Sequence, residues 1–384
     1  MREAIFLLAL ASANSGISMR VIEPMLPRLA ADFGISISAA ASVITAYGLA
    51  AAIGTLAYGP LGDRFGKLRL ATVSLFCAGL ASLACALAQD VVSLAALRFV
   101  TAVFAASSTA LGMAYIGDRV PIAERQPVIA RFIGGTIIGQ SLGPLVGGMV
   151  TDLLGWRGAL LFVGVVFAVV SSILFFRTRA QWAEERPAPV RGNPYAVYPK
   201  MLASPRVRYV LTIACADTFL FFGAYSFLGP FLQLKFDLSL SLIGTILAGF
   251  GIGGVLYTLT VRPLLLALGQ RGLVTWGGAL CCLCYALATL SPLWQVALPA
   301  TIGLGFAFYM LHNTVQTKAT EMAPEARGAA VSIYSSFWAF GQAVGVAVMS
   351  LAVGLIGYAP AIIGFGLGFF VLGLWLRNNL QRLS

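Results

Sequence analysis

Apolar runs of about twenty residues recur from one end of the chain to the other, separated by short polar or basic stretches. A helix needs ~20 residues to cross a hydrocarbon layer of ~30 Å. On that ruler the pattern predicts twelve spans, at about 4–26, 38–59, 68–88, 92–116, 128–150, 158–177, 207–229, 240–261, 273–291, 295–316, 329–354 and 356–376, with bounds good to several residues. The first run has the length of a secretion signal. It lacks a small-residue cleavage site and similar runs follow it, so a retained helix is expected. The fold class predicted is all-α and integral to the membrane.

One connection stands apart. From Arg177 to Arg208 the chain is charged and carries Pro187, Pro189, Pro194 and Pro199, the composition of a linker. It divides the sequence into an N-terminal six-helix bundle over 1–176, a linker over 177–206 and a C-terminal six-helix bundle over 207–384. A shift of 203 residues lays Asp32-Phe33-Gly34-Ile35-Ser36-Ile37-Ser38 on Lys235-Phe236-Asp237-Leu238-Ser239-Leu240-Ser241. The same shift pairs Pro27 with Pro230, Tyr47-Gly48 with Phe250-Gly251, Pro60-Leu61 with Pro263-Leu264, and Gly66 with Gly269. A shift of 202 lays Gly139-Gln140 and Gly143 on Gly341-Gln342 and Gly345. Each match is weak and their common spacing is not. Two parallel six-helix repeats about an axis along the membrane normal, enclosing a central cavity, form the scaffold of one large transporter class.

Composition agrees with this reading: 59% of the 384 residues are hydrophobic, only 10% are charged, and the mean hydropathy is +0.90. Soluble domains carry about a quarter charged residues. The net charge of +11 invites a nucleic-acid reading, but its placement argues against one. Of the 25 Lys and Arg, Arg28, Arg157 and Lys235 face one side and Arg20 and Arg98 lie within spans, while all the others face the side of the two termini. That bias predicts cytoplasmic termini. The six cysteines all fall within spans, and Cys281, Cys282 and Cys284 read as small packing residues rather than as a metal site.

Between the second and third spans runs Gly59-Pro60-Leu61-Gly62-Asp63-Arg64-Phe65-Gly66-Lys67. Its glycines let a short loop turn, and Asp63 suits the positive N-terminal end of a neighbouring helix. The string resembles the signature loop of the major facilitator superfamily. Leu97-Arg98-Phe99 resembles the arginine motif of that family's 12-helix drug–proton antiporter branch, with Thr101-Ala102 where Gln-Gly is usual. Gly139, Gly143, Pro144, Gly147 and Gly148 match the branch's antiporter motif, and Trp156-Arg157 is also typical. On their own physics, glycines at four-residue spacing make a flat face for close helix contact, and Pro144 permits a bend. The resemblance covers essentially the whole chain. It implies export by antiport, and a latch in which Asp63 and Arg64, with Gly59 and Gly66 shaping the loop, hold the cytoplasmic side closed against the eleventh span near Ala330. The corresponding stretch of the second half has Leu266 and Ala267 in place of Asp63 and Arg64, so the latch is expected to be one-sided.

Ionisable residues inside spans are functional candidates, because an unpaired charge there costs several kcal/mol. Asp217 lies about 15 Å into the seventh span at 1.5 Å per residue, with Asn14 as its repeat-mate. It is the candidate proton carrier. Glu23 is expected near the outer end of the first span, with Arg20 one turn deeper and Arg98 entering from the fourth span at similar depth. Arg20 and Glu23 read either as a locally neutralised pair or, with Arg98, as an element of the outer cavity mouth that biases proton release. Arg20 stands where related drug antiporters often carry an acid, which favours amphipathic or anionic substrates over cations. Tyr309, His312 and Asn313 in the tenth span, and Phe222 and Tyr225 in the seventh, complete the candidate substrate contacts with Arg20 and Asn14.

No phosphate-binding loop, zinc or nucleophile signature occurs, which argues against ATP drive, enzymatic chemistry and any cofactor. The expectation is a monomeric secondary transporter of a bacterial cytoplasmic membrane, in contact with lipids and no nucleic acid, exporting small amphipathic compounds by proton antiport. A metabolite facilitator or proton symporter is the alternative, and a non-transporting receptor a more distant one.

Overall fold

The structure is a computed structural model that describes residues 2–183, 193–322 and 327–383. Linker residues Pro187 and Pro189 lie outside the described residues. Helix α1 (Arg2–Arg20) passes through a 3-10 turn (Glu23–Met25) into α2 (Leu26–Phe33). Next come α3 (Ile37–Ala40) with α4 (Ser42–Phe65), α5 (Lys67–Cys85), α6 (Val91–Ala105) with α7 (Ser107–Arg119), and α8 (Ile122–Thr178). The linker contributes the short α9 (Val197–Ala203). The second half holds α10 (Pro205–Phe236), α11 (Leu240–Leu290), α12 (Ala297–Glu321), α13 (Arg327–Ile356) and α14 (Tyr358–Asn379). No strand occurs among the described residues.

Among the described residues ten helical stretches are long and apolar enough to cross a membrane, and two of them, at 56 and 51 residues, are too long for one crossing. Each reverses at a glycine. Along a straight helix Gly139 and Val163 would stand roughly 36 Å apart, yet Gly139 presses on Ala13 and the Val163 carbonyl accepts a bond from Asn14. The break is Gly155, with φ 73° and ψ 171°. Likewise Gly254 lies against Tyr309 and Gly277 against Ala307 and Met310, across a break at Gly269 with φ 61° and ψ 177°. Cutting α8 and α11 there gives the twelve segments expected from the sequence.

The backbone repeats as the sequence does. Residues with positive φ among those described are Gly34 and Asp237, Gly66 and Gly269, and Gly155 and Gly357. They form three pairs at offsets of 203, 203 and 202. The caps repeat as well: Ser36 accepts from the Ala39 amide, and Ser239 from the Leu242 amide. So do the seams between bundles, where Gly48 meets Ala343 and Gly251 meets Ser141. The fold is two pseudo-symmetric six-helix bundles, joined along α4–α13 and α8–α11.

Several segments run past their predicted bounds. The first segment continues to Phe33, well past residue 26, so Glu23 sits within it rather than near its end. The α-helix is interrupted between Arg20 and Leu26 because Pro24 and Pro27 lack the amide hydrogens that would bond to the carbonyls of Arg20 and Glu23. The seventh segment likewise runs on to Phe236.

The antiporter-motif glycines pack as their spacing implies. A Cβ at Gly139 would lie 1.9 Å from the Ala13 carbonyl oxygen, at Gly143 2.6 Å from the Arg20 Cβ, and at Gly147 2.1 Å from the Val21 carbonyl oxygen. The three glycines thus dock one face of α8 onto α1 and the turn after it. Their partners in the second half do the same: Gly341 meets Cys215, and Gly345 meets Phe219. Gly139→Ala should therefore force α1 and α8 apart and sharply reduce monodisperse protein on gel filtration. Gly134→Ala on the same helix, where a Cβ meets nothing within 4 Å, should leave the yield unchanged.

Candidate functional site

The interrupted first segment delivers a carboxylate to the junction of the two bundles. Glu23 is fully buried, and its Oε1 accepts from Arg20 Nη1 at 2.6 Å and from the Ser226 hydroxyl of α10 at 3.0 Å. Ser226 is the repeat-mate of Glu23, so the two meet on the axis that relates the halves. The Arg20 guanidinium lies 3.8 Å from the Phe222 ring centroid of α10, and its Nη2 has no protein partner, nor has Glu23 Oε2. Two bonds fix the pair while one donor and one acceptor are left over. Arg20 belongs to the same half as Glu23 and stays with it whether or not the halves separate. The Ser226 bond and the Phe222 stacking cross between halves.

A second buried charged group lies inside the C-terminal bundle. Asp217 of α10 is fully buried, and its Oδ2 stands 2.8 Å from Nδ1 of His312 on α12. The imidazole stacks on Phe308, with centroids 4.7 Å apart, and Asp217 Oδ1 has no protein partner. The Tyr334 ring of α13 lies 6.2 Å from the imidazole, and its buried hydroxyl is also unpartnered. The sequence singles out both Asp217 and His312, but not their contact. Asn14, the repeat-mate of Asp217, instead donates to the Val163 carbonyl within the first bundle.

The other candidates divide. Arg98 does not join Glu23. Its Nη1 and Nη2 donate to the Ser18 hydroxyl and carbonyl at 3.1 and 2.5 Å, and its guanidinium lies 4.1 Å from the Tyr47 ring centroid. The three-charge cluster expected at the cavity mouth is therefore a pair, with Arg98 holding α1 to α6 and α4 nearby. Phe222 faces Arg20 as well as Trp338 of α13, at 5.5 Å. Tyr225 donates to the Leu247 carbonyl at 2.5 Å and joins the aromatic cluster of Phe221, Phe250 and Phe308. Tyr309 packs on Phe250, while the Asn313 side chain stands against Tyr257. In the signature loop Asp63 pairs with Lys67 at 3.0 Å, and Lys67 also bonds Asp118. Arg64 is exposed beside Phe65. The carboxylate meant for the latch is thus engaged within its own half.

Contacts between halves are dense at the face opposite the linker. Asp152, near the end of the first limb of α8, accepts from both the amide and the hydroxyl of Ser241, in the first turn of α11, at 2.7 and 2.5 Å. An acidic group at a helix N-terminus fills orphan amides and meets the positive end of the helix dipole. On the other seam Ser38 and Ser350 exchange hydroxyl-to-carbonyl bonds at 3.0 and 2.8 Å. Along the α8–α11 seam Gly148 lets the Leu240 carbonyl approach, and Gly244 does the same for that of Pro144. Sequence reasoning missed Asp152 and Ser226. An exposed acid and a serine within a span carry no marking of their own, although Ser226 stands at the 203-residue offset from Glu23.

Arg20→Met strands a buried carboxylate, at a cost of about 3–5 kcal/mol, so the melting temperature of the purified protein should fall markedly. Adding Glu23→Gln should restore most of the loss, and a double variant less stable than Arg20→Met alone would refute the pairing. Asp152→Ala should loosen the face opposite the linker. In a background without native cysteines, a cysteine replacing the buried Leu240 should then react faster with an impermeant maleimide.

The profile of the Major Facilitator Superfamily matches residues 8–346 and, a second time, 218–382. The uncharacterized MFS-type transporter YwfA of Bacillus subtilis (strain 168) is 28% identical over 371 residues, 91% of this chain and 87% of that protein. The riboflavin transporter RibZ of Clostridioides difficile (strain 630) is 30% identical over 150 residues, 38% of this chain and 32% of RibZ. Among solved structures, a bacterial homolog of the human lysosomal transporter Spinster, in an inward-facing and occupied conformation, superposes with a TM-score of 0.78. It shares 18% identity and covers 100% of this chain and 97% of its own, a likeness of fold. With twelve segments in two repeats and a family match across both, the chain belongs to the Major Facilitator Superfamily of membrane transporters and is not an enzyme.

Proposed function

We propose that this transporter couples proton movement to the export of small amphipathic compounds across a bacterial inner membrane, with the linker and both termini in the cytoplasm. The observation that carries the reading is the buried Asp217–His312 contact. A carboxyl and an imidazole in contact offer a proton site in apolar surroundings, and they bridge two helices of the C-terminal bundle. In this cycle Asp217, with His312, takes up a proton when the cavity opens outward and gives it up inward. The unpartnered Asp217 Oδ1 is where a proton or a polar group of the substrate arrives.

The rest of the site receives roles from its contacts. Arg20, Phe222, Tyr309 and Trp338 offer a cationic edge beside aromatic faces, which suits flat amphipathic molecules, including those with an anionic group. Glu23 on Ser226 forms the core of the closed outer end, and Arg98 positions the first segment through Ser18. Closure at the opposite face, with Asp63 on Lys67, corresponds to the inward-facing state. Asp63 and Arg64 engage the second half in the other state. A second reading, uptake of a planar aromatic compound by symport, draws on the RibZ similarity and on the guanidinium stacked against Phe222.

The test is flux in proteoliposomes of one orientation, with a panel of aromatic cations, neutral compounds and anions and an imposed pH gradient. Antiport predicts substrate movement against the proton flow, and symport movement with it. Asp217→Asn should abolish gradient-driven accumulation while leaving downhill exchange. Full gradient-driven flux in that variant would refute the coupling assignment.

A further inference from the structure

The linker helix α9 carries a tyrosine at an unusual place. Pro60, inside α4, has no amide hydrogen, so the Leu56 carbonyl one turn earlier loses its helical donor. The Tyr198 hydroxyl takes that vacancy and donates to the Leu56 oxygen at 3.3 Å. On its other side the same hydroxyl stands against the Ser332 side chain of α13, in the second half. Ser332 is two residues from Ala330, the position the signature-loop latch is expected to reach. Burial pushes the Tyr198 phenol above its ordinary value, so it remains a hydrogen-bond donor across the physiological range.

We infer that Tyr198 is a positioning residue through which the linker controls the transport cycle: its hydroxyl wedges between α4 and α13 and stabilises the conformation closed at the opposite face. The proline of the signature loop then has a role besides shaping a turn. Pro60 exposes an acceptor, and the linker supplies the donor. When α4 and α13 close on the linker face, the wedge has to withdraw. The linker is thereby an element that sets the balance of states, and any ligand or modification that displaces α9 shifts that balance. The inference rests on the family's two-state cycle and is independent of the coupling ion, the substrate and Asp217.

The experiment reads conformation without substrate. Full-length protein in nanodiscs, with native cysteines replaced and the buried Leu240 changed to cysteine, is labelled with an impermeant maleimide, whose rate follows opening of the face opposite the linker. Tyr198→Phe removes one hydrogen bond and should raise the rate about two- to twelvefold. Pro60→Ala returns an amide donor to Leu56, so in that background the effect of Tyr198→Phe should fall to less than half. Ser332→Ala should raise the rate by a smaller factor, and gel filtration establishes that each variant is folded. An unchanged rate in Tyr198→Phe overturns the inference, as does an equal effect with and without Pro60. Loss of proton coupling in Asp217→Asn with these rates unmoved, or the reverse, separates this inference from the proposed function.

Discussion

A carboxylate buried on the axis between two repeats is the constraint around which this molecule is arranged. Glu23 reaches the axis because two prolines interrupt the first segment, and it is tolerable there because Arg20 neutralises it from the same half. Removing either partner of such a pair leaves a charge that apolar surroundings cannot accommodate, whereas the intact pair contributes little net stability. Its value is geometric. Ser226 satisfies Glu23 only when the two halves meet at that point, so the closed state gains a bond that the open state gives up. That is a bias of the order of a single hydrogen bond, about 0.5–3 kcal/mol, the right scale for an equilibrium that must run both ways.

The pseudo-symmetry shows where chemistry departs from architecture. Turns, caps and seam glycines come in pairs: Gly34 with Asp237, Ser36 with Ser239, Gly48 with Gly251. Several charged positions are not duplicated. Asp217 faces Asn14 across the repeat, Glu23 faces Ser226, and Asp63-Arg64 faces Leu266-Ala267. Asp152 corresponds to the apolar region of Gly354 and Leu355. A two-fold scaffold alone gives two equivalent halves, and these unpaired groups are where the halves differ.

Much of the scaffold was legible in one sequence because it is periodic. Span length, the 203-residue offset and the four-residue glycine spacing each reflect a repeat in space, so Gly139, Gly143 and Gly147 could be assigned to one packing face before any coordinates. Pairings between distant helices were harder to read. Nothing local indicates that His312 turns toward Asp217, or that Arg98 turns to Ser18 rather than Glu23. Side-chain direction depends on helix rotation within the bundle, which a hydropathy pattern shared by lipid-facing and core-facing positions does not fix. The depth of Glu23 was misjudged for a different reason. Apolar content thins after residue 26, but the helix continues as an amphipathic turn to Phe33.

One face of the transporter is closed by a carboxylate of one half on a helix end of the other. At the face opposite the linker, Asp152 of the first half caps the N-terminus of α11 in the second. The family resemblance assigns Asp63, also of the first half, a similar cap on α13 at the linker face. A cap of this kind makes charge-assisted bonds to orphan amides and loses them when the helix end moves by a few ångströms. Two such caps, one at each end of a rocking body, cannot both be made. In the present state Asp152 is seated while Asp63 rests on Lys67, itself shared with Asp118. Lys67 thus gives the idle carboxylate a partner, and the exchange from one cap to the other trades bonded carboxylates for bonded carboxylates. Such an exchange leaves neither carboxylate without a partner.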